Sequence, residues 1–179
     1  HRIEADLRAA LGAGELEVHY QPVVVAKTEH IVQMEALLRW NNAERGLVST
    51  SKFIRIAEDT RLMVPIGEWV LRRACIEAVT WPPHISIAVN VSGQQLRDAD
   101  FVPMVVSALT KSGLAPQRLE IEVNESIFDQ EESVVRAVLD QIIALGCTVA
   151  LDDFGTGHSS LSYLRELRFS AIKIDRSFV

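Results

Sequence analysis

Several short apolar segments of this 179-residue chain are aliphatic on one alternating face and carry small, polar or ionisable side chains on the other. Successive side chains of a β-strand point to opposite faces, so Ile85, Ile87, Val89 and Val91 share one face while Ser86, Ala88, Asn90 and Ser92 share the other. In the same way Leu119, Ile121 and Val123 oppose Glu120, Glu122 and Asn124, and Val149 and Leu151 oppose Thr148, Ala150 and Asp152. Ile172 and Ile174 oppose Ala171, Lys173 and Asp175. Strands covered on both faces of an open parallel sheet read as continuous apolar runs, and these do not. The pattern suits a barrel whose inner face leads up to a site at the C-terminal mouth, where (β/α) barrels build theirs. Glu35, Asn90, Glu122, Asp152 and Lys173 all fall late in their segments, as that rule requires.

An opening helix is expected at 2–11, then strands at about 17–25 and 31–40. The link 26–30 is too short for a parallel crossover, so these two strands should pair antiparallel. Helical periodicity follows at Phe53, Ile56 and Ala57, at 66–79, at 101–109, and in Val134, Val135, Val138, Leu139, Ile142 and Ile143. Strands at about 85–92, 119–124, 148–152 and 171–175 lie between or after these helices, which is βα repetition with parallel pairing. The expected fold is α/β, a modified TIM-like (β/α) barrel with an antiparallel first strand, in a single domain over residues 1–179. Six strands are legible where a complete barrel has eight in about 250 residues. The sequence therefore reads as lacking the C-terminal strands, with an open edge that invites pairing. Beginning on His1 inside a helical segment, it also reads as a piece of a longer polypeptide with upstream domains.

With 48% hydrophobic and 23% charged residues the chain can bury a core and is not a disordered segment. A net charge of -6 argues against a DNA or RNA polymer or an anionic membrane as partner, and neither a membrane span nor a signal peptide is legible. Cys75 and Cys147 match no zinc or redox spacing, which fits core thiols in a reducing, cytoplasmic setting. Glu35, Asn90, Glu122 and Asp152 offer only oxygen ligands, the set that hard cations such as Mg²⁺ or Mn²⁺ take. Asp153 would point away in a regular strand, but a strand end breaking into the Gly155-Thr156-Gly157 turn can bring both carboxylates to the mouth. Paired carboxylates there suit a two-metal site for in-line phosphoryl displacement, with Lys173 orienting or deprotonating water or neutralising developing charge. Turn chemistry alone would also explain Asp152-Asp153 before Gly155. His19, His30, His84 and His158 show no such alignment and read as structural or surface residues. Arg39 and Trp40 fit either a phosphate contact beside a core aromatic or a plain strand-end pair.

The segment Glu35-Ala36-Leu37-Leu38-Arg39-Trp40 resembles the EAL-domain family of bacterial cyclic-di-GMP phosphodiesterases. The likeness runs in order through Tyr20-Gln21-Pro22, Phe53-Ile54 with Ala57-Glu58, Asn90-Val91-Ser92 with Gln95-Leu96, and Glu122-Val123-Asn124-Glu125-Ser126. It continues through Asp152-Asp153-Phe154-Gly155-Thr156-Gly157 with Ser159-Ser160-Leu161, and ends in Lys173-Ile174-Asp175-Arg176-Ser177-Phe178.

The resemblance implies that Glu35, Asn90, Glu122 and Asp152 hold one ion, that Asp152 is shared, and that Asp153 serves a second. It implies Lys173 as the catalytic lysine, Gln21 and Arg39 as contacts to the cyclic dinucleotide, and Glu125 as support for the site. It further implies hydrolysis of cyclic-di-GMP to linear pGpG, a homodimer meeting near the loop 154–164, and fused upstream sensory or GGDEF domains. Asn124 stands where the family commonly has Thr, and the family continues through two further strands bearing a Glu and a Gln that do not occur before Val179. A catalytically impaired module that binds cyclic-di-GMP or a protein partner as a sensor is therefore the alternative. A lysine that forms a Schiff base would leave the oxygen ligands without a role, and a pure interaction module would not need them.

Overall fold

The computed structural model describes residues 2–155 and 162–174; the segments 156–161 and 175–179, which include His158 and Asp175, lie outside the described residues. In chain order the elements are α1 (Arg2–Ala13), β1 (Leu16–Val24), β2 (Ile31–Asn42), β3 (Gly46–Val48), α2 (Thr50–Asp59), α3 (Met63–Ala78) and β4 (Ser86–Val91). They continue with α4 (Gly93–Leu96), α5 (Phe101–Ser112), β5 (Leu119–Asn124), α6 (Glu132–Ala144), β6 (Thr148–Phe154), α7 (Ser162–Glu166) and β7 (Ala171–Ile174). Three elements go beyond the sequence reading: β3 and α4 are too short to display a period, and α7 falls at the end of the stretch read as loop.

The strands form one sheet in the order β1-β2-β4-β5-β6-β7, with β3 on the far end of β2. β1 runs antiparallel to β2, as the short link requires, and β2, β4, β5, β6 and β7 pair in parallel. This is the expected barrel-type α/β architecture. The aliphatic face of β4, β5 and β6 is the core: Ile87, Leu119, Ile121, Val149 and Leu151 are buried, with Ile66, Leu71, Val105, Val135 and Leu139 from α3, α5 and α6 in the same cluster, whereas Ile172 and Ile174 on β7, at the end of the sheet, are exposed. Cys75 and Cys147 are buried free thiols, as their spacing suggested, and burial pushes both up, to about 12 and about 11.

Trp40 proves to be the core aromatic. It is fully buried, meets Phe53 of α2 edge to face at 5.8 Å, and donates Nε1–H to Glu15 at 2.9 Å. Glu15 also accepts from the Asn42 side chain and the Ala43 amide, and these hydrogen bonds hold its carboxyl below the usual range. Arg118 donates to the carbonyls of Ala78, Pro82 and Ile85, clasping the end of α3 and the turn into β4.

Gly67 in α3 has a packing reason. A Cβ there would sit 1.9 Å from Gln95 Nε2 and 2.4 Å from its Cδ. Gln95 is buried and held: its Oε1 accepts the Ser92 amide at 3.0 Å while Ser92 Oγ accepts the Gln95 amide, a capping box that starts α4. Gly67→Ala should therefore lower stability by about 2 kcal/mol, overpacking outweighing the gain in helix propensity. Urea unfolding checks this.

Candidate functional site

Register and stagger together assemble the site. Glu35 pairs laterally with Ala88, Asn90 with Glu122, and Glu122 with Ala150. Asn90 thus lies two positions beyond Glu35's partner, and Asp152 two beyond that of Glu122. Such stagger is what tilted strands of a barrel-type sheet require, and it brings one oxygen each of Glu35, Glu122 and Asp152 within 4.8 Å of one another. Asn90 Nδ2 donates to Glu35 Oε1 at 3.1 Å. Ile172 pairs with Leu151, which puts Lys173 beside Asp152 at the next position. Its ammonium contacts Glu122 Oε1 directly and lies 3.9 Å from Glu35 Oε2.

Asp153 reaches the same mouth by an irregularity. The β6–β7 register shifts between Leu151 and Phe154, and Asp153 takes φ 53°. Left-handed backbone is uncommon outside Gly, Asn and Asp, and a bulge of this kind re-aims side chains at strand ends. Asp152 and Asp153, neighbours in sequence, consequently line one cavity of about 290 Å³ together with Arg39, Asn90, Asn124 and Glu122. The Asp153 amide donates to Asp152 Oδ1, and the Gly155 amide donates to Glu125 Oε2 at 3.2 Å, so buried Glu125 braces the turn after β6.

The electrostatics are those of an anionic cluster with too little positive charge. Burial pushes the Glu122 carboxyl up to about 7, against the lowering contact of Lys173, with Glu35 and Asp152 adding to the rise. For Lys173, burial alone would favour the neutral amine, but the hydrogen bond and charge of Glu122, with Glu35 and Asp152, outweigh it and the pKa is raised. The second oxygen of Glu122, Oε2, is buried with no hydrogen-bond partner among the described residues. A buried carboxylate oxygen without a donor is costly. An all-oxygen cluster with such an orphaned atom fits a hard divalent cation, which Glu35, Glu122 and Asp152 could hold, with Asn90 and Asp153 beside them.

Arg39 lines the cavity with its Nη1 donating to the Leu38 carbonyl at 2.9 Å and to Thr50 Oγ1 at 3.5 Å. Gln21 stands opposite Glu35 in the β1–β2 pair, on the same face but exposed and outside the cavity lining. Two carboxylates near the site had no assigned role in the sequence. Glu58, on α2, lines the far part beside Ile54 and Met63, its carboxyl raised by burial and by the charge of Asp59. Glu120, buried on the inner face beneath Glu122, joins a part-buried polar network with Gln33, Ser86, Thr148 and Ser170. Both lie in segments already singled out, but the partners of Glu120 come from elements far apart in sequence. No described helix is long and apolar enough to cross a membrane.

Known proteins agree with this architecture. The chain is 49% identical over 178 residues to the uncharacterized protein y4lL of Sinorhizobium fredii, covering 99% of this chain and 22% of that protein. It is 42% identical to MucR of Pseudomonas aeruginosa, named a bifunctional diguanylate cyclase/cyclic di-GMP phosphodiesterase, over 97% of this chain and 26% of that one. The chain thus spans about a quarter of the length of these curated relatives. The MucR phosphodiesterase solved in complex with c-di-GMP superposes with a TM-score of 0.94 at 41% identity, over 99% of this chain and 74% of that chain. The EAL enzyme Bd1971, in its cAMP- and cyclic-di-GMP-bound form, superposes at 0.92 with 34% identity, over 99% and 50%. The family model of the EAL domain matches residues 4–179, and with that match over nearly the whole length the chain belongs to the EAL domain family.

Proposed function

We propose that this domain hydrolyses cyclic-di-GMP to linear pGpG with the help of divalent cations, Mg²⁺ or Mn²⁺, held by Glu35, Asn90, Glu122, Asp152 and Asp153. The observation that carries the reading is the orphaned, buried Glu122 Oε2 inside a cluster of three carboxylates at the sheet's C-terminal end. Bound cations would screen the anionic phosphodiester oxygens and stabilise charge on the attacking and leaving oxygens. Water adds to phosphorus, the P–O3′ bond breaks, and the 3′ oxygen takes up a proton. Lys173, cationic in this setting, donates toward the attacked phosphate region rather than removing a proton. Arg39 swings from the Leu38 carbonyl to the dinucleotide, and Gln21 meets it from the rim. Membership of a family whose named relatives include cyclic di-GMP phosphodiesterases supports the substrate. A relative that combines cyclase and phosphodiesterase in one chain supports an upstream GGDEF domain. The cytoplasm, where buried free thiols such as Cys75 and Cys147 persist, and a homodimer meeting near 154–164 complete the proposal.

Chromatography of cyclic-di-GMP incubated with the chain and Mn²⁺ tests it, beside a chelator-treated sample and Asp152→Asn. Metal-dependent pGpG, lost by at least about 100-fold in Asp152→Asn, is expected. Binding of the dinucleotide by a folded sample that forms no product would instead identify a sensor module.

A further inference from the structure

Glu120 lies one inner-face step below Glu122 and is 7% exposed. Its carboxylate accepts from Gln33 Nε2 of β2 at 3.2 Å, from Thr148 Oγ1 of β6 at 3.2 Å, and from Ser170 Oγ, just before β7, at 2.8 Å. Gln33 also donates to Ser86 Oγ of β4 at 3.2 Å. Thr148 is the lateral partner of Glu120 on the neighbouring β6, whereas neither β2, which carries Gln33, nor β7, which Ser170 precedes, neighbours β5 in the sheet, so the other two bonds reach past an adjacent strand. Branched aliphatic side chains dominate that layer in most (β/α) barrels, and a buried carboxylate is costly unless a cation compensates it. Every partner of Glu120 is neutral, and among the described residues no ion pair reaches it. Gln33 and the Thr148 and Ser170 hydroxyls all offer protons to an acceptor-only carboxylate, Ser170 Oγ having one proton to share between Glu120 and the Val149 carbonyl 3.0 Å away. The interior thus carries Glu120 below and Glu35, Glu122 and Asp152 above, with Lys173 paired to the upper group.

We propose that Glu120 is a positioning residue for the cation site: it ties the strands of Glu35, Asp152 and Lys173 to that of Glu122, and its fixed negative charge beneath them raises the affinity for a divalent cation. The proposal rests on the cation site inferred above. The charge acts across a two-residue strand step of roughly 7 Å, and outer partners of metal ligands typically change affinity by about 10–100-fold.

The test is calorimetric titration of Mn²⁺ into the chelator-stripped chain and into Glu120→Gln, with thermal melts of both in chelator. Glu120→Gln keeps the size and removes the charge. Mn²⁺ affinity should fall at least about tenfold, whatever the melting temperature in chelator does. A merely structural Glu120 gives a lower melting temperature with unchanged affinity, and that result overturns the proposal. Should Glu120→Gln fail to fold, Ser170→Ala, which removes the 2.8 Å donor and keeps the charge, should still weaken Mn²⁺ several-fold; unchanged affinity there would overturn it as well. A parent chain that binds no Mn²⁺ overturns the cation site and this role with it, whereas parent binding with unaltered affinity in the variants overturns only the role of Glu120.

Discussion

Glu122→Gln should stabilise the metal-free protein at pH 8 by about 2–3 kcal/mol and flatten its stability between pH 4.5 and 7. The sign follows from the direction of the shift. Burial raises the Glu122 carboxyl from 4.5 to about 7 in the folded chain. Between those values the unfolded chain has released its proton while the folded chain still holds it, so stability falls as pH rises through the interval and is level above it. Lys173 does not cancel this. Its raised pKa contributes stability that is fully present below its unfolded value and lost only in alkaline solution. The variant keeps the volume of Glu122 and leaves Lys173 with Glu35 and Asp152 as anionic neighbours, so no bare buried cation results. Urea unfolding of parent and variant in chelator, from pH 4.5 to 8, gives the comparison directly. Parallel pH profiles would show that Glu122 ionises as an ordinary carboxylate. Added Mn²⁺ should stabilise the parent by mass action and leave the variant nearly unmoved, which separates a cost of burial from a site built to receive charge.

The two-residue alternation made the strands and the chemical face legible because strand geometry maps sequence parity onto sheet face without any knowledge of neighbours. Antiparallel pairing of β1 and β2 was legible for a similar reason: five residues cannot carry a crossover. Features that depend on stagger or long-range packing were not. Arg39 and Trp40 lie on opposite faces of β2, and only Phe53, brought in by α2, shows which side is the core. Glu120 and Glu122 are indistinguishable in parity. The second falls later in its strand and lies at the mouth, while the polar partners of the first come from β2, β6 and the residue before β7, which only the tertiary pairing reveals. Asp153 required a break in the alternation, which the following Gly155 hinted at and the left-handed backbone supplies. β3, three residues long, carries no periodic signal at all.

Lys173→Met should lower kcat for cyclic-di-GMP by about 10²–10³-fold with KM changed only a few-fold, the loss typical of a donor that acts mainly in the transition state. Two roles for this ammonium are open to a direct contest. In the metal-free cluster it supplies the positive charge that Glu122, Glu35 and Asp152 lack. If that were its whole contribution, cations would take over the task once bound, and a saturated Lys173→Met enzyme would turn over like the parent. The variant would even bind Mn²⁺ more tightly, since a competing positive charge has been removed from beside Glu122. If Lys173 also donates to the reacting phosphodiester, tighter Mn²⁺ binding and slower turnover must appear together in the same protein. Lys173→Arg refines the contrast, because a planar guanidinium keeps the charge but cannot place a single ammonium donor at that point. Calorimetry for Mn²⁺ and saturating-substrate kinetics on these two variants therefore decide the matter. Parent-like kcat in Lys173→Met would confine the lysine to holding the empty cluster together, whereas affinity and turnover moving in opposite directions assign it to the reaction itself.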